Sequence, residues 1–187
     1  ILRLAGVGES SLSDGVLETV RRRFPWLFVN LITANLAALV IAQFADTISL
    51  LVVLAALLPI VASMGGNAGT QSLTVAVRAL ASKGLTSSNA ARVIRRGALV
   101  GLVNGIGMAL IMGAVGFWGY GSALLGVVLG LAMVLNLVVA ALSGVLVPLI
   151  LNRMNVDPAL ASGTFVTTMT DVTGFFVFLG LATMVLL

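Results

Sequence analysis

The chain has 187 residues, of which 60% are hydrophobic and 9% charged, with a mean hydropathy of +1.19 and a net charge of +4. Soluble domains carry about 25% charged residues, so this composition identifies a membrane protein. The chain has no Cys and no His, which removes disulfides, thiolate and imidazole metal sites, and the usual general base near neutral pH. Ordinary hydrolytic and zinc chemistry has lost most of its tools, and no enzyme is expected.

The opening residues, "ILRLAGVGESSLSDGVLETVRRR", do not read as a signal peptide. A soluble region is expected upstream of them. Residues Leu12 to Arg23 form a candidate interfacial helix, capped by Ser13 or Asp14, with Val16, Leu17 and Val20 on its apolar side. Pro25 is expected to separate it from the first span. A charged flank that merely anchors that span is the other reading.

A bilayer core takes about 20 mostly apolar helical residues. Five stretches qualify: Phe24 to Phe44, Ile48 to Leu80, Gly97 to Trp118, Ser122 to Leu151, and Ala159 to Leu187. Small residues repeat every fourth position in the third and fourth spans, at Gly97, Gly101 and Gly105 and at Gly126 and Gly130. Close helix packing is the expected reason.

The charges follow a topological pattern, not a nucleic-acid footprint. If the spans alternate, Arg3, Arg21, Arg22 and Arg23, then Arg78, Lys83, Arg92, Arg95 and Arg96, then Arg153 all fall on one side. The positive-inside rule puts that side, and the N-terminus, in the cytoplasm, with the C-terminus outside. A multi-pass protein of the plasma membrane is expected, in a bacterium the cytoplasmic membrane.

Two stretches place polar groups at membrane depth. In "GTFVTTMTDVTG", Thr164, Thr167, Thr168 and Asp171 share a helical face that Gly174 extends. Asp171 is the one acidic residue inside a span, about 20 Å along the axis from Pro158. Such carboxylates face a bundle interior or a wet path. A structural Asp bonded to a neighbouring helix is the alternative. In "PIVASMGGNAGTQS", Asn67 and Gln71 share a face with Thr74 and Arg78, Pro59 is expected to kink the helix, and Gly65 and Gly66 to expose backbone. The second span then lines the same path, or else packs through a Gly-rich crossing. All the donors on offer are oxygens, which suits hard cations such as Mg²⁺. One carboxylate is thin for stripping water from Mg²⁺. Two copies around a two-fold axis would pair two Asp171 side chains around a hydrated ion.

Five spans, "LPIVASMGGNAGTQS" in the second and "DPALASGTFVTTMTDVTGFF" opening the fifth resemble the MgtE-type magnesium channels over essentially the whole chain. The resemblance implies an all-α homodimer in the lipid bilayer, with a Mg²⁺ pore on the two-fold axis lined by spans two and five. It implies that Asp171 is the central carboxylate, acting on hydrated Mg²⁺ with the Thr167 backbone carbonyl as companion. Gly66, Asn67, Gln71, Gly163, Thr164, Thr168 and Gly174 are the expected pore lining. Some relatives carry Asn where this chain has Gly163, which supplies no side-chain ligand. Asp157 matches an acidic position at the cytoplasmic mouth where relatives bind further Mg²⁺. Residues 1–23 correspond to the end of a cytoplasmic connecting helix and residues 24–187 to the pore domain. Full-length members add a soluble N-terminal domain and paired CBS domains that sense Mg²⁺ and close the pore. An ion- or proton-coupled divalent-cation transporter is the competing function. A non-conducting anchor is a third, and it leaves Asp171 without a purpose.

Overall fold

The computed structural model describes residues 15–82, 84–85 and 89–187, with the side chains of residues 22 and 159–161 left aside. The expected caps Ser13 and Asp14, the loop base Lys83, and Arg3 lie outside the described residues. All regular structure among the described residues is helical: α1 (Val16–Gln43), α2 (Ala45–Leu50), α3 (Val53–Ala81), α4 (Ala90–Ala114) with a π-helical continuation (Val115–Gly119), α5 (Ala123–Arg153) and α6 (Pro158–Leu186). Five of them, all but α2, are long and apolar enough to cross a membrane. At 1.5 Å per residue, 25 to 31 residues span about 38 to 46 Å, more than the roughly 30 Å hydrocarbon core.

α5 is the hub and touches α3, α4 and α6. More than half of its most apolar window is buried inside the protein, whereas α1 and α4 bury little. The core gathers Leu54, Leu57 and Val61 of α3, Val128, Leu129, Met133 and Leu137 of α5, and Phe178, Leu179 and Ala182 of α6. Lipid tails are as apolar as these side chains, so the hydrophobic effect does little to hold such helices together. Close contact has to, and small residues supply it. A methyl group added at Gly101 would sit 2.8 Å from the Leu137 carbonyl oxygen, and one at Gly126 would sit 2.6 Å from that of Gly113. The four-residue glycine rows of α4 and α5 are therefore a packing seam, as their spacing predicts.

The structure differs from the sequence reading at Pro25 and at one junction. Among the described residues, α1 runs from Val16 through Pro25 without a break, so Pro25 does not separate Val16 to Arg23 from the first span. Pro59 and Pro148 likewise lie inside continuous helices. Membrane helices tolerate prolines because neighbouring groups satisfy the freed carbonyls. The second span does not start at Ile48. α2 ends at Leu50, and α3 starts afresh at Val53. The buried Thr47 holds α2 against the end of α6, its hydroxyl 2.9 Å from that of Thr183. α1 packs mainly on α6, through contacts that include the edge-on Phe44–Phe176 ring pair. At the other end, Ser122 caps α5 by accepting from the Leu125 N–H. Pro158 opens α6 at the first helical position, where its missing N–H costs nothing.

Candidate functional site

The buried stripe of α6 runs at four-residue spacing through Ser162, Val166, Thr170, Gly174 and Phe178. Thr164, Thr167, Thr168 and Asp171 lie beside that stripe and stay half-buried. Gly163 is half-buried too. Gly174 belongs to the buried stripe: a methyl group there would sit 2.8 Å from the Asn136 Nδ2 of α5. It packs inside the protein against Asn136, away from the side of the helix that carries Asp171. Four residues separate it from Thr170, so it falls on Thr170's side of the helix.

α3 shows the same division. Its buried stripe includes Val61, Gly65, Gly69 and Leu73. Asn67, Thr70, Gln71 and Thr74 are exposed. The two glycines of "MGGN" part company here. A methyl group at Gly65 would lie 2.5 Å from Asn136 Nδ2, while one at Gly66 would meet nothing within 4 Å. Gly65 is a packing glycine; Gly66 opens outward with Asn67.

Contacts fix the register between the two helices. Gly65 and Gly174 both meet Asn136, and Gly69 faces Val166 and Thr170. α3 and α6 are thus antiparallel here, with Asp171 at the level of Gly66 and Asn67. Asn67 is the fifteenth of the 29 residues of α3, and Asp171 the fourteenth of the 29 of α6. The carboxylate therefore sits at mid-helix, between two outward-facing polar strips.

The hydroxyls of the α6 strip are oriented by their own helix. Thr167 Oγ1 donates to the carbonyls of Gly163 at 3.1 Å and Thr164 at 3.0 Å, and Thr168 Oγ1 donates to Thr164 at 2.7 Å. A hydroxyl whose proton is committed to backbone keeps its lone pairs for an incoming donor. Water bound to a cation presents protons outward, so such a strip suits a hydrated ion. The Thr167 carbonyl is already shared, accepting from Thr170 Oγ1 at 2.9 Å. Among the described residues, no three His, Cys, Asp or Glu side chains come together as a metal site would require. Asp157, half-buried in the link between α5 and α6, is remote in sequence and depth from Asp171. The structure brings Asp171, Thr164, Thr167, Thr168, Gly66, Asn67 and Gln71 onto neighbouring outward faces. It leaves Gly174 and Asp157 apart from them.

The family described as "Divalent cation transporter", MgtE, matches residues 58–181, which contain both polar strips. The chain belongs to the MgtE family. It is similar to the magnesium transporter MgtE of Enterococcus faecalis, 39% identical over 182 residues. It is similar also to those of Bacillus subtilis, at 35% over 162 residues, and Thermus thermophilus, at 34% over 164 residues. These matches cover 97%, 87% and 88% of this chain but only 40%, 36% and 36% of the relatives. The chain thus spans about two fifths of the length of the MgtE relatives it matches, and the family match falls on its helical membrane region.

Asn136 escaped the sequence reading. It lies inside "LAMVLNLVVAAL", a run with no other polar side chain. A lone amide in such a run was the signal available.

Proposed function

We propose that this chain forms the pore of a magnesium channel, with two copies meeting on a two-fold axis lined by α3 and α6. The observation that carries this reading is Asp171: a single carboxylate at mid-helix, on an outward polar face, with no second carboxylate in its own protomer's strip. Pairing across a two-fold axis supplies the missing charge. Two carboxylates near the axis attract a divalent ion more strongly than a monovalent one, because Coulomb energy scales with the product of the charges. Mg²⁺ sheds water reluctantly, so the carboxylates and the Thr167 carbonyl act through its hydration shell. The Thr164 and Thr168 oxygens and the amides of Asn67 and Gln71 line the approach, and Gly66 leaves the width. The positive-inside rule supports a cytoplasmic entry to α1 and a cytoplasmic α3–α4 link, and the proposed path serves Mg²⁺ uptake across a bacterial cytoplasmic membrane. Asp157 then stands at the cytoplasmic mouth as a second, weaker Mg²⁺ contact. The unmatched length of the relatives accommodates the soluble N-terminal and CBS domains expected upstream of α1.

Coupled transport is the competing reading, since the relatives are named transporters. Five spans do not divide into a simple inverted repeat, the usual frame for alternating access. Recording from the dimer in a planar bilayer separates the two. Discrete Mg²⁺ current steps are expected. Mg²⁺ flux without unitary steps that follows an imposed pH gradient would replace the channel with a coupled carrier.

A further inference from the structure

Asn136 is completely buried, near the middle of the most apolar helix, as the fourteenth of the 31 residues of α5. Its Nδ2 donates to the Val61 carbonyl of α3 at 2.9 Å. That bond fixes which end of the amide is nitrogen, since a carbonyl only accepts. Its Oδ1 is buried with no hydrogen-bond partner. The amide is held between two glycines on different helices. A methyl group at Gly65 would lie 2.5 Å from Nδ2 and 3.1 Å from Oδ1; one at Gly174 would lie 2.8 and 3.1 Å away. Asn136 therefore fills a slot that exists only because both α3 and α6 carry glycine there.

An amide is a poor choice for stability alone. A leucine-sized apolar side chain would leave no orphan acceptor, and an unsatisfied buried group calls for an explanation. Its position supplies one. Gly65 immediately precedes Gly66 and Asn67, and Gly174 is three residues from Asp171. The slot thus lies directly behind the two outward strips, at their own depth. α3 and α6 meet closely where Gly69 faces Val166 and Thr170. The Asn136 bond to Val61 and its fit against Gly174 add a tie between them at the level of the two strips.

We propose that Asn136 is a positioning residue for the ion path: it ties α3 and α6 together behind the site and so sets the spacing between the Gly66–Asn67 face and the Asp171 face. The amide touches no ion. It acts through the two helices, and the inference rests on reading their outward strips as the pore lining.

The test uses the absence of native cysteine. Spin labels go on Cys at Ser63 of α3 and Met169 of α6, both exposed, in dimers diluted with unlabelled chains so that each pair of labels is within one protomer. Asn136→Leu removes the bond to Val61. Gly174→Ala keeps Asn136 and pushes on the amide from α6. Each variant should shift or broaden the label separation by about 1–2 Å, the scale of helix displacements at interfaces, and should reduce Mg²⁺ flux several-fold in dimers that still assemble. If Asn136→Leu fails to fold, Gly174→Ala decides alone. An unchanged separation, or a shifted one with unchanged Mg²⁺ flux, overturns the positioning role. Absence of Mg²⁺ flux in the unsubstituted dimer would instead defeat the transport reading, leaving the label separation to decide whether Asn136 ties the helices.

Discussion

Gly65 and Gly66 are neighbours in sequence with opposite surroundings, and that contrast makes a prediction. A methyl group at Gly65 runs into the Asn136 amide, whereas Gly66 has free space around it. Gly65→Ala should destabilise the protomer by about 1–3 kcal/mol, the usual cost of overpacking a tight contact, and thermal unfolding of the purified dimer would show it. Gly66→Leu should leave unfolding nearly unchanged while abolishing Mg²⁺ current, because the side chain projects into the proposed path. An assembled Gly66→Leu protein with normal current would reduce the glycine to a bystander. Sequence alone grouped these two residues, because a Gly-Gly pair announces close approach without saying on which side. The same ambiguity applies to Gly174. Three- and four-residue steps from Asp171 and Thr170 overlap on a helical wheel, and only contact with Asn136 assigns the glycine to the buried stripe. Thr164, Thr167, Thr168 and Asp171 stand out in the sequence because polar groups at membrane depth are rare enough to be informative one by one.

At the scale of helices, composition made the five spans legible, since about 20 apolar residues admit few other structures in a bilayer. Their ends were less so. α4 starts at Ala90, well before the apolar run, because Arg92, Arg95 and Arg96 extend it while staying helical. The break between α2 and α3 falls inside "ISLLVVLAALL", which has no Gly, Pro or Asn to mark it. What accompanies the break is a tertiary contact, the Thr47–Thr183 hydroxyl pair that ties α2 to α6. The glycine seam between α4 and α5 was readable, since spacing and packing make the same demand. Gly101→Leu should therefore separate α4 from α5 and lower the melting temperature of the dimer by several degrees, the size expected for a loss of about 2 kcal/mol. Gly107→Leu, where a methyl group meets nothing within 4 Å, is the matched control and should melt with the unsubstituted protein.

For the molecule as a whole, the proposed pore requires a definite topology and a two-fold pairing. Ser82, after α3, and Tyr120, before α5, are both exposed in the protein and lie at opposite ends of the spans. In intact cells, Cys introduced at Tyr120 should react with an impermeant thiol reagent and Cys at Ser82 should not; the reverse labelling would invert the membrane orientation. The pairing is tested through the carboxylate it brings together. Asn in place of Asp171 keeps the size and much of the hydrogen bonding but removes both charges from the axis. Asp46, exposed in α2, supplies the control. The direct measurement is Mg²⁺ titration of purified dimers, with bilayer recording of the same preparations. Asp171→Asn should assemble, lose most of its Mg²⁺ binding and lose Mg²⁺-selective current, while Asp46→Asn behaves as the unsubstituted protein. Unchanged Mg²⁺ affinity and selectivity in Asp171→Asn would contradict the proposed site.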